Sequence, residues 1–170
     1  RVSLVGSEMC IRDSHNVIGD EFLKYVHDID ISFMKEDKIM RNELENLNME
    51  KFIFTNGSAE HAQNILTRLG IYDLFGKEKV FDIKDAGYVP KPEAQTFDLM
   101  IKKFGIKPKE TIYIEDIAKN LSTGFEKGCT TVWLINDEHF GKIDSDKDYI
   151  SHKIENLSLF LKEIRLLKSK

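Results

Sequence analysis

Apolar and polar positions along this chain follow two alternating patterns: short unbroken apolar runs, and longer stretches in which apolar residues recur with helical spacing. From Asn16 onward the two take turns, which is the rhythm of βα units feeding a mostly parallel sheet. Phe22, Leu23 and Val26 share one face of a short helix opening near Asp20, and Ile39, Met40, Leu44 and Leu47 share one face of a second. Residues 51–55 (KFIFT) are too few for a buried helix and run straight into Asn-Gly-Ser, so they read as a strand ending in a tight strand-to-helix turn. Ser58 then caps a helix carrying Ala62, Ile65, Leu66 and Leu69, and Gly70 stops it.

The rhythm repeats three more times. A strand over 80–83 leads through a loop to Pro92, expected in the first turn of a helix with Ala94, Phe97, Ile101 and Phe104 on its apolar face and Gly105 as its stop. Residues 111–114 (TIYI) form a strand, 117–127 a helix stopped by Gly128, and 130–135 (TTVWLI) another buried strand. The polar stretch 136–148 reads as a surface loop, followed by a short strand near Tyr149 and Ile150 and a last helix carrying Leu157, Phe160, Leu161 and Ile164. Cys129, Trp133, Phe97 and Phe104 are expected in the core, and His61 in a structural place on its helix.

With 170 residues, 41% of them apolar, the chain can bury one sizeable core, and disorder is excluded for most of its length. Its net charge of −4 (25 basic, 29 acidic) argues against a nucleic-acid polymer as partner, since that role needs clustered Lys and Arg. No apolar run is long enough to cross a bilayer, so no membrane partner is expected. The two cysteines, Cys10 and Cys129, lie far apart and outside any metal-ligand spacing, which fits a reducing cytoplasm.

Three predicted strand ends carry chemistry. The carboxyl ends of parallel strands form the ligand edge of an α/β sheet, where helix N-termini direct backbone N–H groups. Thr55 and Asn56 end the first strand, Lys91 lies in the loop after the second, and Glu115 and Asp116 end the third. A hydroxyl with backbone N–H donors, a lysine and a pair of carboxylates together describe a site for a phosphoryl group and magnesium. Taken singly, Thr55 is a strand-end residue, Lys91 a solvated turn lysine, and Glu115–Asp116 a helix cap; their order and placement favour the joint reading.

The segments FIFTNGSAEHAQNILTRLGIYDLF, DAGYVPKPEAQTFDLMIKKFGI and IYIEDIAKNLSTGFEKGCTTVWL resemble the second, third and fourth motifs of the haloacid dehalogenase-like hydrolase superfamily. The FTNGS, YVPKP and Glu115-Asp116…Asn120 blocks, with VHDIDIS upstream, are similar to its pyrimidine 5′-nucleotidase branch. The resemblance runs from about Asn16 to Leu161. It implies a Rossmann-like three-layer αβα sandwich around a mostly parallel sheet, and hydrolysis of a small-molecule phosphate ester with Mg²⁺ as cofactor. It further implies that Thr55 and the Asn56 N–H bind the phosphoryl group, that Lys91 steadies it, that Asp116 holds magnesium with Glu115 beside it, and that Asn120 supports this acidic turn.

The family's nucleophile is the first aspartate of an Asp-x-Asp-x-Thr/Val block on a preceding strand, and this chain shows no such block. Asp28-x-Asp30 has the spacing but follows an amphipathic helix and lacks the Thr or Val; His27 and Asp28 are read instead as possible substrate contacts. Residues 1–14 (RVSLVGSEMCIRDS) break the rhythm and resemble translated adapter sequence. The expectation is therefore a fragment: residues 1–14 non-native, 15–34 the remnant of a helical cap, and 35–170 the α/β core without its native central strand, either left open or filled by residues 1–6. Without a carboxylate to attack phosphorus, the chain as written is expected to be inactive. The rival readings are a signalling receiver, which the chain order Thr55, Lys91, Asp116 disfavours, a non-catalytic phosphate-binding module, and mutase or dehalogenase chemistry of the same superfamily.

Overall fold

The computed structural model describes residues 30–168, which fall into two compact units. Residues 1–14, the helix expected near Asp20, and His27 and Asp28 lie outside the described residues. One unit joins residues 30–37 to Glu50–Pro90, and the other joins Lys38–Met49 to the chain from Lys91 onward. The architecture is α/β, and every described strand pairing is parallel.

In the first unit β1 (Ile53–Phe54) pairs with β2 (Val80–Phe81), Ile53 opposite Val80 and Phe54 opposite Phe81. The phenyl rings of Phe54 and Phe81 meet edge to face, centroids 5.5 Å apart. Between the strands runs α2 (Ala59–Arg68), whose Ala62 and Leu66 are buried with Ile71, Phe75 and Ile83. Both strands are shorter than the apolar runs predicted. For β2 the reason is local: the Asp82 carboxylate accepts the N–H groups of Lys84 at 3.0 Å and Asp85 at 2.9 Å, folding the chain into a turn after Phe81, with one further bond from the Ile83 N–H to the Gly57 carbonyl at 3.2 Å. Ile83 stays fully buried outside the strand.

In the second unit β3 (Ile112–Glu115), β4 (Thr130–Leu134) and β5 (His152–Ile154) form a three-stranded sheet in that order. The unit also contains α1 (Lys38–Asn46), α3 (Ala94–Phe104), α4 (Leu121–Glu126) and α5 (Leu157–Lys168). Pro92 stands before α3 rather than in its first turn: Glu93 is still extended (φ −56, ψ 130), and the Pro92 carbonyl accepts the Thr123 hydroxyl. Ala94 is consequently exposed, and Thr96, Phe97 and Met100 form the buried face. Gly105 closes α3 in the left-handed conformation (φ 64), as its position predicts.

The helix expected over 117–127 divides into a 3₁₀ turn, Ala118–Asn120, and α4. The last strand lies beyond Tyr149 and Ile150 because the Thr131 hydroxyl donates to the Tyr149 carbonyl at 2.6 Å and accepts the Ser151 N–H at 3.0 Å, so regular pairing starts at His152. On α1, Leu44 is buried, as is Leu47 just past its end, while Ile39 is exposed. Five residues at about 100° each turn Ile39 about 140° away from Leu44.

Candidate functional site

At the carboxyl end of β3, Glu115 is buried, and both of its carboxylate oxygens are engaged. Lys91 Nζ donates to Oε2 at 2.8 Å, and Asn120 Nδ2 donates to Oε1 at 2.8 Å. The side chains of Lys91 and Glu115 are 7% and 8% exposed, so this is a desolvated ion pair rather than a surface contact. The pair forms because β3 delivers Glu115 inward on its alternating pattern while the 3₁₀ turn brings Asn120 back over it, five residues on. The Thr123 hydroxyl on the Pro92 carbonyl ties the segment carrying Lys91 to α4.

Asp116, the next residue, is exposed. Its carbonyl accepts two donors, Trp133 Nε1 at 3.0 Å and Asn136 Nδ2 at 2.7 Å. Among the described residues no group of three or more His, Cys, Asp or Glu side chains could hold a metal ion, so a cation here would rest on the Asp116 carboxylate with water and phosphate oxygens. Hard oxygen from one or two carboxylates completed by phosphate and water is the usual magnesium environment, and the donor chemistry of Asp116 fits it.

In the first unit Thr55 closes β1 and donates its N–H to the Phe81 carbonyl at 3.0 Å. Its Oγ1 accepts the Gly57 N–H at 2.9 Å, and the hydroxyl proton remains available for an acceptor among the described residues. Ser58 is the cap the sequence predicts, Oγ accepting the His61 N–H at 3.2 Å. Asp82, a residue the sequence reading does not single out, accepts the Ala59 N–H at 2.9 Å and so braces the turn after Asn56. His61 is half-buried, and burial lowers its pKa. Asp30 is exposed and accepts the Ser32 N–H at 2.8 Å.

Lys91, Glu115 and Asn120 thus meet in one cluster with Asp116 adjoining, while Thr55 and Asn56 occupy a separate turn. Asp82, Thr123, Trp133 and Asn136 are the polar partners that sequence reasoning missed. Trp133 reads as plain core and Asn136 as the start of a solvated loop; only the direction of their N–H groups gives them a further part.

The fold is a parallel α/β arrangement in which Lys91, Glu115 and Asn120 gather at the end of β3 with Asp116 adjoining. The chain belongs to the haloacid dehalogenase-like hydrolase family, whose pattern matches residues 36–125. It is similar to glyceraldehyde 3-phosphate phosphatase of Methanocaldococcus jannaschii, with 27% identity over 127 residues, 74% of this chain and 54% of the relative. The chain therefore spans about half the length of that relative. Among solved structures it is similar to a HAD family hydrolase from Deinococcus radiodurans with bound phosphate and sodium, at TM-score 0.64 and 18% identity over 98% of this chain and 75% of the other. It also resembles L-2-haloacid dehalogenase from Xanthobacter autotrophicus with chloropropionic acid covalently bound, at TM-score 0.58 and 16% identity over 74% and 59%. Both likenesses concern the fold. Among the described residues no helix is long and apolar enough to cross a membrane.

Proposed function

We propose that this chain supplies the phosphate- and magnesium-handling residues of a cytoplasmic phosphomonoesterase acting on a small phosphorylated metabolite, with a pyrimidine nucleoside 5′-monophosphate as the substrate the FTNGS, YVPKP and VHDIDIS blocks favour. The observation that carries the reading is the buried Lys91–Glu115–Asn120 cluster, which fixes an ammonium group on a carboxylate at the end of β3, one residue before the exposed Asp116. Such preset charge is what phosphoryl transfer requires, because the reaction builds negative charge on oxygens that the protein must already be arranged to meet.

In this reading the Thr55 hydroxyl and the Asn56 N–H donate to phosphoryl oxygens, Lys91 offsets their charge, and Asp116 holds magnesium. Glu115 orients Lys91, and Asn120 orients Glu115. Bound magnesium would neutralise phosphoryl oxygens and align the ester. A phosphomonoesterase of this kind would use a carboxylate to attack phosphorus as the ester P–O bond breaks and a positioned acid to protonate the leaving alkoxide, after which water would cleave the aspartyl phosphate. No Asp-x-Asp-x-Thr/Val block provides that carboxylate in this sequence, so the chain as written binds phosphate esters without turning them over.

A triose phosphate is the second reading, favoured by the activity named for the Methanocaldococcus relative. Calorimetric titration with UMP and with glyceraldehyde 3-phosphate, in excess Mg²⁺, tests both. We expect UMP to bind more tightly, Lys91→Met to abolish binding, and no inorganic phosphate to appear. The reverse affinity order selects the triose phosphate, failure of both to bind overturns the phosphomonoesterase reading, and Mg²⁺-dependent phosphate release overturns the inactivity.

A further inference from the structure

The carbonyl of Asp116 has an unusual hold on it. The indole N–H of Trp133 donates to it at 3.0 Å from β4, and the Asn136 amide donates at 2.7 Å from just beyond that strand. Trp133 is 5% exposed, and a buried indole N–H needs an acceptor, so its bond alone follows from burial. Asn136 is under no such need: it is half-buried and its amide could face water, yet it reaches the same oxygen. Its other end is fixed as well, since Asn136 Oδ1 accepts the Glu138 N–H at 3.0 Å. Two residues past Asp116, the Ala118 N–H donates to the Gly141 carbonyl at 3.0 Å. The Lys153 ammonium lies 5.9 Å from the Trp133 ring centroid and covers that ring. The polar stretch after β4 is therefore wrapped onto the turn that carries the exposed carboxylate.

We propose that Trp133 and Asn136 are positioning residues for this turn, fixing through the Asp116 carbonyl the direction in which the Asp116 carboxylate meets a divalent cation. The proposal rests on the reading that Asp116 takes the cation. A peptide plane held at its oxygen by two donors resists rotation, which restrains ψ of Asp116 and with it the direction in which the side chain leaves the backbone. Mg²⁺ demands near-ideal octahedral geometry, whereas Ca²⁺ tolerates irregular coordination. Loosening the plane should therefore weaken Mg²⁺ binding more than Ca²⁺ binding. Loss of a partner that orients a metal ligand commonly costs about 10–100-fold in metal affinity.

The test is calorimetric titration of this chain with Mg²⁺ and with Ca²⁺, for the unmodified protein, Asn136→Ala, Trp133→Phe and Asp116→Asn, each checked for an unchanged thermal midpoint. Trp133→Phe keeps an aromatic ring and removes the N–H, so it carries the test if the alanine variant does not fold. We expect Asp116→Asn to abolish Mg²⁺ binding, and Asn136→Ala and Trp133→Phe to weaken it about 10-fold or more with a smaller change for Ca²⁺. Mg²⁺ affinity within twofold of the unmodified chain in both positioning variants, with Asp116→Asn inactive in binding, overturns the proposal and leaves the metal reading standing. Binding that survives Asp116→Asn, or no Mg²⁺ binding by the unmodified chain, overturns the metal reading and this proposal with it.

Discussion

Glu115 is the residue whose removal the molecule should tolerate least. Its partner Lys91 is 7% exposed on its side chain, so deleting the carboxylate strands an ammonium group in a poorly solvated place. Breaking a buried pair from one side typically costs about 3–5 kcal/mol. Glu115→Ala should lose about that much in a urea titration, and Glu115→Gln markedly less, because a Gln oxygen can still accept from Lys91 or Asn120. Equal losses in the two variants would mean that the lost charge of the pair, not packing or the remaining hydrogen bonds, sets the cost, because Gln keeps the shape of Glu. Cys129 gives a second residue-scale prediction. Burial pushes its thiol from 9.0 up to about 11. A folded pKa raised above the unfolded one stabilises the protein fully below the unfolded value and is lost as pH rises through the folded value, so the thermal midpoint should fall between about pH 9 and 11. Cys129→Ala should flatten that limb in a series of melts. Position at or after a strand end points to Lys91, Glu115 and Asp116 in the sequence, whereas Asn120 comes only from the family resemblance. Asp82 and Asn136 were not legible, because nothing in composition or spacing tells which carbonyl or N–H a polar side chain will find.

Elements were read well where a cap or a glycine punctuates them and poorly where side chains compete with the ladder. Ser58, Gly70 and Gly105 mark helix ends as expected, whereas Asp82 cuts β2 short and Thr131 delays β5. Pro92 was misleading because a first-turn proline and a proline just before the cap look alike in sequence. The contact of α4 with β3 is the element-scale feature that most directly sets the acidic turn. Gly124 on α4 has no side chain, and a Cβ there would lie 2.5 Å from Cδ1 of Tyr113, whose ring packs edge to face on Phe97 at 5.4 Å. A buried ring held on both sides has little room to yield. Gly124→Ala should therefore cost about 1–3 kcal/mol by overpacking, measured by urea unfolding. Pairing it with Tyr113→Leu should recover part of that loss if the ring is the obstacle, and none if the helix itself is.

Across the whole chain, the path is what the sequence rhythm did not reveal. Reading βα units in order suggests that each packs beside the last, yet α1 belongs with the unit that resumes at Lys91 and packs on α5, at the other end of the described chain. The tie between them is polar: Arg165 Nε donates to Glu43 Oε2 at 2.8 Å, across a sequence separation of 122 residues, and Glu43 is buried on α1. No periodicity argument could have found it, because a helical glutamate on the same face as Leu44 and Leu47 reads as a flaw in an apolar stripe until its partner is seen. The hydrogen bond from Arg165 holds the Glu43 carboxyl below its usual value of 4.5. A lowered folded pKa stabilises the pair fully above the unfolded value and loses that contribution as pH falls through the folded one. Protection of α1 and α5 amides from hydrogen exchange should therefore be high at neutral pH and decline together below about pH 4.5. In Arg165→Met the buried carboxylate keeps the Asn42 amide at 3.3 Å but loses both Arg165 bonds, so protection of α1 should already be lower at neutral pH, and acidification should reduce it much less. An α1 that stays protected in that variant would show that Leu44 and Leu47 alone fasten the helix, and that the ion pair sets only its register.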